Sequence, residues 1–105
     1  MKLQARPKQV RIPSFRLDAD HWTRFQVLAD KKGWQALSAL RQLVLQYAAQ
    51  PFPLDSERLA GGEGRTGWFE CDAKAVAALQ AGANEAGIGL NDAMRQLVAR
   101  ALRAR

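Results

Sequence analysis

Five cations and no acid stand in residues 1–16: Lys2, Arg6, Lys8, Arg11 and Arg16. Ammonium and guanidinium groups at this density neutralise phosphates, and an arginine can also bond a guanine edge through two parallel N–H donors. The C-terminal end is basic as well, with Arg100, Arg103 and Arg105, whereas 51–64 is net acidic through Asp55, Glu57 and Glu63 against Arg58. The formal net charge is +6. Such a balance points to nucleic acid or an anionic surface as partner. The competing reading is a solvated surface with basic, solubilising ends.

Other chemistry has few residues to draw on. His21 is the single histidine and Cys71 the single cysteine, so a nucleophile–base site of the triad type is not expected. His21 has no second His, Cys or carboxylate cluster at metal spacing. Phosphate-loop, HExxH, nucleophile-elbow and paired-cysteine motifs are absent. The expectation is a protein that is not an enzyme and needs neither cofactor nor metal. One cysteine excludes an internal disulfide and suits a reducing compartment. No apolar run approaches the roughly 18–20 residues of a membrane span, and the basic N-terminus lacks the apolar stretch of a secretory signal. A cytoplasmic protein with no membrane partner is expected.

The elements that must position these residues come in two copies. Shifted by 54 residues, 11–48 falls on 65–102 without a gap, and roughly a third of the pairs are identical. Arg11 falls on Arg65, Phe15 on Phe69, Asp18 on Asp72, Gly33 on Gly87, and the whole run Arg41–Val44 on Arg95–Val98. A tandem duplication follows: a basic flexible arm at 1–10, a first unit at 11–48, a linker at 49–64, and a second unit at 65–105. Pro51 and Pro53 stop the preceding helix, and Gly61, Gly62 and Gly64 are expected to leave the linker's exit flexible.

Each unit has one grammar. A short alternating stretch opens it. In "PSFRLD" Phe15 and Leu17 point one way, Ser14, Arg16 and Asp18 the other; in "GWFECD" Phe69 and Cys71 oppose Trp68, Glu70 and Asp72. Asp18 and Asp72 can each cap a following helix. The first helices carry apolar faces of Trp22, Phe25, Leu28 and Ala29, and of Val76, Leu79 and Ala83. Gly33 and Gly87 close them as left-handed caps. Second helices bury Leu37, Leu40, Leu43, Val44 and Tyr47, and Leu90, Met94, Leu97, Val98 and Leu102. One strand with one apolar face needs a partner strand, and the other unit supplies it. Hence the expected fold: mainly α with a two-stranded antiparallel ribbon, β-α-α-linker-β-α-α, both units forming one monomeric body.

With those motifs the chain resembles the ribbon-helix-helix superfamily, the Arc, MetJ and CopG type of DNA-binding proteins. "IPSFRLDADHW" looks like the family's ribbon and first-helix start; "ADKKGWQALSALRQLV" and "ANEAGIGLNDAMRQLV" look like its helix–Gly–helix turn. Family members are normally homodimers. A single chain carrying both halves resembles the TraY-type accessory proteins of conjugative DNA transfer. The resemblance implies a ribbon that enters the major groove of double-stranded DNA. Ser14, Arg16 and Asp18 would read bases in unit one, and Trp68, Glu70 and Asp72 in unit two. Amides near Gln35–Ala36 and Gly89–Leu90, opening the second helices, would hold phosphates, with Lys2, Arg6, Lys8 and Arg11 tracking the backbone beside them. Further copies on the same DNA, or a DNA-processing protein, are the other implied partners. The implied role is that of a bacterial, nucleoid-associated repressor or transfer accessory.

Some positions depart from the family's pattern. Unit two offers acids and a tryptophan where a reader is expected to be polar or basic. Neither second helix opens with Ser or Thr, although Asn91 can substitute. Gly82 stands where unit one has Leu28, which is expected to thin the second core. Arg41 and Arg95 read as structural ion pairs or a solvated face, Trp68 as packing under the linker, stacking, or docking a protein partner, and Cys71 as an inert buried thiol. An alternative function is a fused ribbon-helix-helix module that binds protein and has only non-specific DNA affinity. The DNA-binding half of a toxin–antitoxin pair is a third, with too little chain after Leu102 for a toxin-wrapping tail.

Overall fold

The computed structural model describes residues 8–56, 59 and 61–103. The fold is mainly helical, with a small two-stranded antiparallel sheet. In chain order it runs β1 (Gln9–Ile12), β2 (Arg16–Leu17), α1 (Ala19–Lys31), α2 (Ala36–Ala49), β3 (Gly64–Arg65), β4 (Phe69–Asp72), α3 (Ala73–Ala86) and α4 (Leu90–Arg103).

β2 and β4 fall inside the two expected stretches, whereas β1 and β3 lie before them. β1 begins at Gln9, and Ala73 donates its backbone N–H to the Lys8 carbonyl at 2.7 Å. Gln9 and Val10 are thus ribbon rather than arm, while Lys2 and Arg6 lie outside the described residues. "PSFRLD" is also not one strand. Pro13 has no N–H to give to a ladder, and the Phe15 amide turns to the Thr66 hydroxyl at 3.2 Å, so regular pairing is interrupted between Ile12 and Arg16, although Thr66 still donates its backbone N–H to the Phe15 carbonyl at 3.1 Å. On the other side regular pairing is interrupted between Arg65 and Phe69.

β1 pairs with β4 and β2 with β3, both antiparallel. Gln9 faces Asp72, Arg11 faces Glu70, Ile12 faces Phe69, and Arg16 faces Arg65. Residue and partner numbers add to the same total in every pair, so the two ladders are the ends of one interrupted ribbon in one register. The 54-residue shift turns the pair Arg16–Arg65 into Glu70–Arg11, which is also a pair. The ribbon therefore has an approximate twofold axis through its interrupted middle.

Helix ends follow local chemistry. Asp18 and Asp72 cap α1 and α3, accepting from the amides of His21 at 3.0 Å and Ala75 at 3.2 Å. Gly33 and Gly87 both sit at φ 74°, the left-handed conformation that ends a helix without Cβ strain. α2 stops at Ala49, before Pro51. Across the axis α2 packs on α3 and α1 on α4. The inner ribbon face, with Ile12, Phe15, Leu17, Phe69 and Cys71, closes over Phe25, Leu40, Val44, Leu79, Met94 and Val98 as one core. Burying each large apolar side chain there contributes about 1.5–3 kcal/mol.

Two expectations, one about unit two and one about the linker, fail. Gly82 does not thin the core: a Cβ there would run into the Tyr47 hydroxyl, so the tyrosine ring occupies the space a leucine would take. Nor is the linker's exit loose. A Cβ on Gly62 would lie 2.7 Å from Asp18 Cα, and one on Gly64 2.9 Å from the Leu17 carbonyl. These glycines are there for close backbone approach. No described helix is long and apolar enough to cross a membrane.

Candidate nucleic-acid interface

The outer face of the ribbon carries Arg11, Ser14, Arg16, Arg65, Trp68 and Glu70. Arg11, Arg16, Arg65, Trp68 and Glu70 are exposed and Ser14 is half-buried. At one end Arg16 stands directly across from Arg65. Like charges opposite one another destabilise a strand pair, and among the described residues neither arginine enters an ion pair. Arg65 Nε donates to Ser14 Oγ at 3.2 Å, which holds that guanidinium along the ribbon. At the other end Arg11 faces Glu70, and the Arg11 guanidinium lies 4.2 Å from the centre of the Trp68 ring. The two ends, alike in backbone, differ in charge because Arg16 in one half is Glu70 in the other.

The ribbon is held from below by the repeated arginine. Arg41 Nε donates to the Glu70 carbonyl at 2.9 Å, and Arg95 Nε to the Arg16 carbonyl at 2.6 Å. Each second helix thus grips the strand of the other half at the residue whose side chain points outward. Arg95 also pairs with Asp92 at 2.9 Å, both side chains about 15% exposed. Arg95 forms the expected ion pair, whereas Arg41 enters none among the described residues; for both, a backbone carbonyl of the ribbon is a partner the sequence reading did not name.

Other expected site residues divide. Asp18 and Asp72 each spend one carboxylate oxygen on a helix cap, which leaves the second oxygen as an acceptor. Trp68 is not packed under the linker; it is 51% exposed on the outer face. Gln35 is the residue before α2 and forms no side-chain cap, so the amides at Ala36 and beyond have no side-chain acceptor from it. Leu37 in that first turn abuts Gly67 at the ribbon's middle, 3.3 Å from where a Cβ would be. Gly89 and Leu90 open α4, where Asn91 lies inside the helix rather than at its cap and Asp92 is the acid of the first turn. Lys8 is exposed beside β1. Arg65 is the exposed ribbon cation that the strand pattern missed, because it lies before the alternating stretch. Its one signal is its match to Arg11 in the repeat.

Cys71 is fully buried on the inner face. Burial pushes its pKa up from the ordinary 9.0, only partly opposed by a backbone hydrogen bond at Asp72 and the nearby Arg41 charge, with Asp72's charge adding to the rise. No three His, Cys, Asp or Glu among the described residues gather as a metal site. No family model, curated protein or solved structure matches the chain.

Proposed function

We propose that this chain is a sequence-specific double-stranded DNA-binding protein, a tandem ribbon-helix-helix pseudo-dimer that reads the major groove with its outer ribbon face. The observation that carries this reading is the exposed Arg16–Arg65 pair. Two unneutralised guanidiniums set side by side cost the free protein stability, and an anionic partner reverses the sign of that cost. Arg16 is the base reader by preference, since its backbone is fixed from below by Arg95 and its side chain is outward. Arg65, Ser14 and Arg11 support it, and the open amides at Ala36 suit a flanking phosphate. Repression of transcription and assistance at a DNA-transfer origin use the same site chemistry.

Because Arg16 is matched by Glu70, the preferred DNA site is asymmetric; a homodimer would need a near-palindrome. The test is selection from random duplexes, followed by salt titration of the winner. Arg16→Ala should weaken binding by about 1–3 kcal/mol and relax preference at one position. Glu70→Arg should raise affinity, steepen the salt dependence and shift selection toward a more symmetric site. If no sequence is enriched and Arg16→Ala binds like the parent, the ribbon is not a reader.

A further inference from the structure

The run Arg-Gln-Leu-Val is written twice, and most of it is used twice. Both arginines grip the ribbon. Val44 and Val98 are buried, and Leu43 and Leu97 pack on or in the core. The glutamines differ. Gln96 clamps the linker: its Nε2 donates to the Asp55 carbonyl at 2.7 Å and its Oε1 accepts from the Asp55 amide at 2.9 Å. This is the two-bond pattern by which a strand holds a neighbour's backbone. Gln42, its counterpart, has no side-chain hydrogen bond among the described residues.

The clamped segment lies on a formed bed. Phe52 meets Tyr47 edge-to-face at 5.2 Å, and the Arg100 guanidinium sits 3.8 Å from the Phe52 ring centre. Phe52, Pro53 and Leu54 share one cavity wall with Tyr47, Gly82, Glu85 and Ala86. Apply the 54-residue shift to the bed. Tyr47 becomes Ala101, Gly82 becomes Leu28, Glu85 becomes Lys31, Ala86 becomes Lys32 and Gln96 becomes Gln42. All five line a single open groove of about 440 Å³. Trp34, also on its wall, is 42% exposed, whereas its counterpart Ile88 is 5% exposed. Among the described residues the molecule covers one copy of this surface with its own chain and leaves the other bare.

We propose that the α1–α2 groove binds an extended segment of another protein, with an aromatic–proline–aliphatic anchor and acidic residues beside it, and that Gln42 clamps its backbone as Gln96 clamps Asp55. The chain's own Phe52-Pro53-Leu54 shows what chemistry the surface takes. Lys31 and Lys32, standing for Glu85 and Ala86, turn the rim basic and select an acidic flank. The chain's own segment is held at Gln96, and a second copy's segment is held in the same way, so neither is free to fill the groove. This inference does not rest on the DNA-binding reading.

The probe is a capped peptide of the linker sequence, QPFPLDS, titrated into the full chain and followed by amide and indole NMR signals. The Gln42 side-chain amide and the Trp34 indole should shift together. Gln42→Leu, which keeps the volume and the fold, should weaken binding at least fivefold. Lys31→Glu with Lys32→Glu should weaken it and reverse its salt dependence, and a scrambled peptide should leave the spectrum unchanged. Absence of shifts at millimolar peptide overturns the proposal. So do shifts at Gln96 and Gly82 alone, which mean exchange with the chain's own segment. Shifts that follow protein concentration without peptide overturn it too, by making the groove a self-contact.

Discussion

At the scale of single residues, the ribbon's two faces obey different rules. Outward positions hold most of the ribbon's charge, and Arg16 was legible as an exposed cation because alternation alone places it opposite Phe15 and Leu17. Arg65 was not, since a residue's exposure depends on where pairing starts, and the start lies outside the alternating stretch. Asp18 and Asp72 fit two roles on paper, and the geometry shows the helix cap for both. The inward face is chosen for burial, and Cys71 shows the consequence. Its folded pKa is raised, so the native state holds the thiol proton more tightly than the unfolded chain does. That stability is complete at neutral pH and is lost as pH rises through 9.0, the thiol's ordinary value, toward the higher folded value. Denaturant titrations at stepped alkaline pH should show the parent losing stability faster than Cys71→Ala. Native protein should react slowly with a thiol reagent at pH 8 and quickly once unfolded.

At the scale of elements, the repeated arginine joins helix to ribbon. A two-stranded ribbon is marginal by itself, and this one is interrupted at Pro13. Its carbonyls at Glu70 and Arg16 are therefore pinned from α2 and α4. Arg41→Ala and Arg95→Ala should each cost about 1–2 kcal/mol in urea unfolding. Amide exchange in β1, β2, β3 and β4 should accelerate more than in the helices. The Arg95 change should be the larger, because Arg95 also holds Asp92 and the Leu59 carbonyl. The helices themselves were readable from apolar spacing, caps and glycines. The split of each strand was not, because it depends on the Thr66 hydroxyl competing for the Phe15 amide across the ribbon.

At the scale of the whole molecule, the halves are built to meet each other rather than copies of themselves. Gly82 leaves room for Tyr47 on one side of the axis, while Leu28 and Ala101 line the same groove on the other. Two copies of unit one would bring Leu28 against Tyr47, and two copies of unit two would leave Gly82 against Ala101. Large-with-small pairing of this kind specifies partners by clash as much as by fit. Gly82→Leu should destabilise the chain by about 1–3 kcal/mol through overpacking. Adding Tyr47→Ala should restore much of the loss, a coupling measurable by a double-mutant cycle in denaturant. Independent effects of the two changes would mean that the contact is unimportant.

The sequence by itself determined the duplication, the helices, their caps and the faces they bury. Each of these is set by residues close in the chain, and the 54-residue repeat ties the two sets together. Only the tertiary structure decided what stands across from what. Arg16 meeting Arg65, Tyr47 filling the place over Gly82, and Gln96 holding Asp55, where Gln42 holds no backbone among the described residues, are all settled between distant segments. The physical reason is that a repeat copies local grammar, whereas register and packing are set where the copies differ: at Glu70 for Arg16, Gly82 for Leu28, and Ala101 for Tyr47.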